Sequence, residues 1–404
     1  MDMKKKLEST YNPEKITQRE KVVIGLSGGV SSYVSAFLLK LQKYDLIGVT
    51  IVPGWEESPI DPAATLSCHI GGERLESVKR FCQQLGIPHH TVAASAEFSE
   101  TVLEPWMGSR ILGQSPGPCW SCHQLRLVLL YKKMKDLGVQ KFATGHFSKI
   151  LHSEQHGTWF VHSSNDEGND HSPFLARVSE EILACMYLPL SDLTKKEVLK
   201  LAENFGLTPE QDAVSIHQCF SWSRDFTTYF EQKIPPKLLT GGSLWARESQ
   251  RDVGVHDGVI HHQYGESFDF KNDAKNLRGV FGKFTLADKR MILFDQEHMS
   301  RDRILLQNCR PSAEVQWLEP LQGFISLGAE TILECWVYPK CLNAAYVEWE
   351  GDTLVAEGSV ATVYKKKGKN SKVLLSGTVK FLSKPVSSQE GDKDVQKADY
   401  ARDL

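Results

Sequence analysis

The chain lacks any long hydrophobic run. Nothing in its 404 residues approaches the ~20 consecutive apolar positions of a membrane-spanning helix, so no membrane partner is expected. Cysteine is scarce, and nine residues at irregular spacing exclude the disulfide-stapled scaffold of a small secreted protein. Charge of one sign is also in short supply. A formal net charge of −3 excludes a generic nucleic-acid coat, while leaving room for a local basic face that meets one particular RNA. The opening stretch, MDMKKKLESTYNPEKITQRE, has neither the apolar core of a signal peptide nor an Arg-rich, acid-poor transit pattern, which points to the cytoplasm.

What is present is ordinary for a globular protein: 41% hydrophobic and 24% charged residues, over a length that calls for two or three domains. From residue 21 to about 207 short apolar or β-branched runs (KVVIGLS, DLIGVTIV, HHTVAA, KFATGH) alternate with segments whose apolar residues recur at spacings of three and four. Those segments are SYVSAFLLKLQ, ERLESVKRFCQQLG and HQLRLVLLYKKMKDLG. Gly86 and Gly138 close the latter two as helix C-caps, and TKKEVLKLAENFG opens on a Thr N-cap with Glu197 in the capping-box position. This alternation predicts an α/β domain with a parallel sheet covered on both faces. RDFTTYFEQKIP reads as one more helix, followed by Gly- and His-rich loops around HDGVIHHQYGE. From about 285 onward, short alternating strands with turn signals every eight to twelve residues predict a small antiparallel barrel or sandwich. The expected division is an extension over 1–20, a nucleotide-binding and catalytic domain over 21–220, a central linker domain over 221–284, a C-terminal β-barrel over 285–385 and a polar, disordered tail over 386–404.

Four segments carry chemistry. KVVIGLSGGVSS is a buried strand, a glycine turn and a helix start; a tight turn is its bland reading. At the carboxyl end of the first strand of such a sheet, however, its backbone N–H groups suit a phosphate. The Walker Gly-Lys-Ser/Thr does not follow it. SPGPCWSCHQLR holds a CxxC ahead of a helix. It is a redox pair, half of a zinc site, part of an iron–sulfur site, or two incidental thiols. No second ligand pair stands at a suitable spacing for zinc, and a helix N-terminus makes Cys122 a candidate thiolate. ATGHFSKI ends a strand with Gly145 and His146, facing the ligand crevice. SIHQCF offers Cys219, by itself most simply a core thiol.

Together these segments resemble the tRNA-specific 2-thiouridylases of the PP-loop ATPase superfamily, over about residues 21 to 235. SGGVSS corresponds to the pyrophosphate loop, usually Ser-Gly-Gly-Val-Asp-Ser. SPGPCWSCH resembles Pro-Asn-Pro-x-x-x-Cys-Asn, ATGH is unchanged, NDHSPFL resembles Lys-Asp-Gln-Ser-Tyr-Phe-Leu, and SIHQCF resembles Ser-x-Gly-Ile-Cys-Phe. The resemblance implies a PP-loop fold that binds ATP with Mg²⁺ over Gly25, Leu26, Ser27, Gly28, Gly29, Val30, Ser31 and Ser32, with Ile51 and Gly145 completing the nucleotide site. It implies Cys122 and Cys219 as the catalytic pair. Gly117, Pro118 and Cys119 would border the target base, and His146, Asn169, Asp170 and His171 would contact the tRNA. The implied reaction adenylates a wobble uridine and delivers sulfur from a Cys219 persulfide. The persulfide would be charged by a sulfur-relay or cysteine-desulfurase-type donor, and the protein would be a monomer. Two other readings are a weakened homologue that binds tRNA or the relay protein without turnover, and an iron–sulfur thiolase with Cys119, Cys122 and Cys219 as ligands.

The chain departs from the pattern at Ser31, where the loop acid is expected, at Asn169 and His171 in NDHSP, at His123 after the first cysteine, and at Val214. HHQYGES stands where a Gly-Gln-Arg-Lys-Gly run is expected. A hydroxyl at position 31 cannot offer Mg²⁺ the charge of a carboxylate, so the sequence leads to an expectation of weak ATP binding and a high Mg²⁺ requirement.

Overall fold

The computed structural model describes residues 20–53, 72–112, 118–207 and, with short gaps, 231–380. Strands β1 (Lys21–Gly25), β2 (Asp45–Val52), β3 (His89–Ala93), β4 (Lys141–Ala143) and β7 (Met186–Tyr187) form a parallel sheet in the order β3-β2-β1-β4-β7. Side chains alternate across a strand, and β1 shows why its sequence is apolar throughout. Val22 and Ile24 enter one core with Tyr33, Leu39, Val78 and Phe81, while Val23 enters the opposite core with Leu127, Leu130 and Met134. Helices α1 (Val30–Leu41) and α2 (Gly72–Leu85) cover the first face, and α4 (Cys119–Asp136) covers the second.

The helix punctuation follows the sequence. Gly86 and Gly138 adopt φ of 63° and 66°, the left-handed conformation that ends a helix at little cost only for glycine. In α5 (Lys195–Asn204) Thr194 and Glu197 form the reciprocal capping box, and Val198, Leu201 and Ala202 pack on Val30, Val34 and Leu38 of α1. That packing brings the start of α5 beside the start of α1.

Beyond the parallel sheet, the segment read as Gly- and His-rich loops contains strands. β8 (Gly242–Ala246), β9 (Arg251–His256), β10 (Ser267–Asn272), β11 (Lys275–Thr285) and β12 (Arg290–Phe294) form a second sheet in the order β10-β11-β12-β8-β9. Leu244, Phe281, Met291 and Leu293 from this sheet join Val102 and Trp106 in one core; Trp106 belongs to α3 (Glu104–Ile111). Arg110 of α3 is buried and donates from Nη2 to the Ile260 carbonyl; desolvation brings its guanidinium down to about 10. The expected antiparallel barrel is present and closed. β13 (Ser300–Pro311), β14 (Leu321–Ser326), β15 (Ile332–Cys341), β16 (Ala344–Leu354), β17 (Val360–Tyr364) and β18 (Val373–Lys380) run in the order β13-β16-β15-β14-β17-β18. The turn between β17 and β18 returns to the first domain, where it meets the end of the hairpin β5 (Lys149–Ser153) and β6 (Thr158–His162). There Ser163 N–H donates to Ser371 O at 2.7 Å, and Ser371 N–H donates to Ser163 Oγ at 2.7 Å.

Candidate functional site

The sheet order reverses at β1, whose neighbours are β2 and β4, and ligands of open α/β sheets bind at such a switch point. The loop after β1 is held by its own hydroxyls. Ser32 Oγ donates to Gly29 O at 2.8 Å and accepts from Ser27 N–H at 3.3 Å, while Gly29 N–H lies 3.4 Å from Ser27 Oγ. Gly28 sits at φ 73°, a conformation that favours glycine, and Gly29 caps α1. Leu26 N–H continues the sheet to Val49 O, and Leu26 O accepts from Thr50 Oγ1 at 3.0 Å. Gly25 faces Leu130: a β-carbon there would lie 2.8 Å from Leu130 Cδ1. Val30 and Ile51 are buried in the flanking cores.

The loop after β4 closes on this turn. A β-carbon at Gly145 would stand 2.8 Å from Ser31 C and 2.9 Å from Ser32 N, so only glycine lets the two backbones come this close. Two cations that the sequence did not signal also reach the loop. Lys195, first residue of α5, donates from Nζ to Ser31 Oγ at 3.4 Å, and Arg74 of α2 lies over Gly28. Asn169 is tied to the same corner: its Nδ2 donates to Asp166 Oδ2, which also accepts the Lys195 backbone N–H at 2.8 Å.

The CxxC opens α4, with Pro118 at its N-cap. Burial raises the Cys119 thiol to about 11, with a contribution from neighbouring Cys122, which leaves it protonated near neutral pH. Cys122 lies where the parallel sheet's helices meet the central sheet, and Arg126, one turn on, donates from Nε to its Sγ at 3.3 Å. Arg126 is a site residue that the sequence reading missed; its only signal is an i, i+4 spacing from a cysteine at a helix start. Burial also raises Cys82 to about 11 and Cys309 and Cys335 to about 12, as expected of core thiols. Gly117 and Cys219 lie outside the described residues, as do SIHQCF and most of RDFTTYFEQKIP.

Three histidines gather beside α4. His146 takes Thr144 Oγ1 at 2.8 Å on Nδ1 and His123 Nδ1 at 3.2 Å on Nε2, and the His123 ring stacks on Phe174 with centroids 4.3 Å apart. His171 is buried and its Nδ1 accepts from Phe147 N–H at 3.1 Å. Burial pulls His146 down to about 4, well below the unfolded value near 6.5, so the folded site holds the ring neutral. Between those values the unfolded chain binds the extra proton, and stability contributed at this site falls as pH drops from 7 to 5. His146→Gln should show a smaller loss of melting temperature over that interval than wild type in paired thermal melts. An equal loss in both proteins would remove His146 as its source.

Asp170 faces inward instead of toward solvent. Its Oδ1 accepts from Ser164 and Ser172 N–H, and its Oδ2 accepts from Ser172 Oγ at 2.7 Å and from Tyr364 Oη of the barrel at 3.1 Å. Desolvation raises its carboxyl despite these donors, and the geometry makes it a junction between domains.

Residues 20–222 match the family model described as tRNA methyl transferase HUP domain. The chain belongs to that family. Among curated relatives it is 29% identical over 376 residues to the tRNA-specific 2-thiouridylase MnmA of Sinorhizobium fredii, covering 89% of this chain and 91% of that one. It is 28% identical to the protein of the same name from Rhizobium meliloti, covering 94% and 96%. The resemblance carried by SGGVSS, ATGH and the CxxC is thereby borne out, and the HUP-domain match agrees with the parallel sheet. Among solved structures, a 4-thiouridine synthetase–RNA complex with bound ATP matches at 16% identity and TM-score 0.33, over 54% of this chain and 51% of that one. No helix among the described residues is long and apolar enough to cross a membrane.

Proposed function

We propose that this protein carries out ATP-dependent 2-thiolation of the wobble uridine of tRNA. The observation that carries the reading is the close approach of Gly145 to the Ser31–Ser32 backbone. It joins the glycine turn and the β4 loop into one cradle whose space a β-carbon would fill. Such a cradle at a helix N-terminus fits the phosphates of ATP, with Ser27, Gly28, Gly29 and Ser32 as donors. The names of the full-length relatives supply the reaction class, and neither the weakened-homologue nor the iron–sulfur reading is favoured.

In the proposed reaction the uridine O2 attacks the α-phosphate of ATP and releases pyrophosphate, which turns a poor leaving oxygen into AMP. The terminal sulfur of a Cys219 persulfide, supplied by a cysteine-desulfurase-type donor, bonds to C2. The Cys122 thiolate then attacks Cys219 Sγ, the S–S bond breaks, its electrons stay on the sulfur bound to C2, and AMP leaves as C2=S forms. The product Cys122–Cys219 disulfide needs an external thiol reductant. Arg126, whose Nε donates to Cys122 Sγ, suits the positioning of that sulfur. His146, engaged through both ring nitrogens, holds the His123 ring in place on the helix that carries Cys122. Mass spectrometry of wobble nucleosides from cells with and without the gene tests the reading; unchanged 2-thiouridine in the deletion strain would reject it.

The exposed lysines of the β17–β18 turn, in KKKGKNSK, are the proposed meeting point with tRNA phosphates. A solvated hairpin tip is the bland alternative. The turn's attachment to Ser163 and Ser164 fixes it beside the first domain. Replacing Lys365, Lys366 and Lys367 by Ala should weaken tRNA binding and flatten its dependence on salt, measured by filter binding at several salt concentrations. An unchanged slope would leave the solvated tip as the better description.

A further inference from the structure

We propose that Arg177 and Arg310 form a phosphate-binding pair for the tRNA strand that carries the target base. The inference rests on the tRNA reading above. Arg177 follows the NDHSPFL stretch of the first domain, and Arg310 stands on β13 of the barrel. The fold brings them together across the domain boundary. Arg310 Nη1 donates to the Arg177 carbonyl at 2.6 Å, and Arg177 Nη1 donates to Thr378 Oγ1 of β18 at 3.3 Å. The Arg177 guanidinium also lies over the Trp120 ring, 5.3 Å from its centroid. Arg177 is half-buried and Arg310 is exposed.

Two like charges held this close repel each other. Burial lowers the Arg177 guanidinium below its ordinary range and the Arg310 charge adds to the effect; only the Cys309 thiol, itself kept protonated by burial, acts the other way. No aspartate or glutamate pairs with either guanidinium among the described residues. An anion that accepts from both arginines relieves that repulsion, and guanidinium forks match the oxygens of a phosphodiester.

The location selects the anion. β18 leads from Ser371, beside the lysine turn, to Thr378 under Arg177, on the order of 20 Å at the usual rise of a strand. One RNA strand can therefore touch both the turn and the pair. Trp120 shares the first turn of α4 with Cys122, and residues two apart on a helix face different sides. Cys122 packs toward the central sheet, while Trp120 meets Arg177. The pair thus meets the RNA backbone beside the reacting base and not the base itself. The bland alternative is a brace that only ties the barrel to the first domain.

The test is tRNA binding by filter retention at several salt concentrations, with thermal melts, for wild type, Arg310→Gln, Arg177→Gln and Arg177→Lys. Arg310→Gln and Arg177→Gln should each weaken binding by roughly 10-fold, the scale of one charge-assisted contact. Each should also lower the slope of log affinity against log salt by about one, the mark of one lost phosphate contact. Arg177→Lys should keep the slope, because the charge stays, while losing part of the affinity with the planar fork. A brace predicts lower melting temperatures and an unchanged slope. Arg310 is exposed, so its variant tests the pair even if Arg177→Gln fails to fold. An unchanged slope in Arg310→Gln, with wild type binding tRNA, would overturn the pair while leaving the tRNA reading standing. Wild type binding no tRNA would overturn both.

Discussion

Gly145→Val is expected to lower ATP affinity by about 100-fold or more, since at least two charge-assisted backbone contacts to phosphate are lost together. The cause is contact, not backbone strain. A β-carbon at this position would press on Ser31 C, Ser32 N and Ser31 O at 2.8, 2.9 and 3.0 Å, all backbone atoms that cannot rotate away. Either the β4 loop retreats or the start of α1 shifts, and both open the cradle. Gly138→Ala is the control. Gly138 has φ 66° with nothing within 4 Å of an added β-carbon, so that variant should cost about 1 kcal/mol of stability and leave ATP binding alone. Calorimetric titration with ATP and thermal melts of both variants separate the two effects. Near-normal affinity in Gly145→Val would mean that phosphates do not use this cradle.

The second large effect belongs to the cysteines. Cys219→Ser should abolish thiolation while tRNA-dependent ATP–pyrophosphate exchange stays measurable, because a hydroxyl carries no persulfide but leaves adenylation untouched. Cys122→Ser should stop turnover. Cys335→Ser should act on stability and not on sulfur transfer, since Cys335 lies in the barrel core among Val337, Val347 and Ile325. Near-normal thiolation by Cys219→Ser would show the persulfide assignment to be wrong.

Much of the first domain is legible because its signals are local. DLIGVTIV is a strand over its full length, Thr194 and Glu197 cap a helix as their spacing predicts, and Gly86 and Gly138 turn left-handed where the helical pattern stops. The central sheet is not legible. β9 reads RDVGVH and β10 reads SFDFKN, with His, Asp and Gly among few apolar residues, and their strand character comes from pairing with β8 and β11. Site residues divide in the same way. Ser27, Gly28 and Gly145 lie within motifs that the sequence displays, although Gly145 meets the glycine turn only through the fold. Lys195 and Arg74 reach the loop from helices 164 and 46 residues away, counted from Ser31 and Gly28, and nothing near them in sequence marks them as site residues. Asp170 shows the converse. Its motif points to an RNA contact, but the fold supplies Tyr364 from the barrel and turns the carboxylate inward.

The seam between Ser163 and Ser371 spans 208 positions of the chain. During synthesis the parallel sheet has all its strands long before residue 371 exists, so the seam closes only after that sheet can form, and long-range contacts of this kind form slowly. Until then Asp170 has no Tyr364 hydroxyl to donate to its carboxylate. The loop whose Asp166 accepts the Lys195 N–H is therefore completed from the far end of the chain. Pulsed hydrogen exchange during refolding should find the amides of Ser163 and Ser371 protected together, after those of β1 and β2.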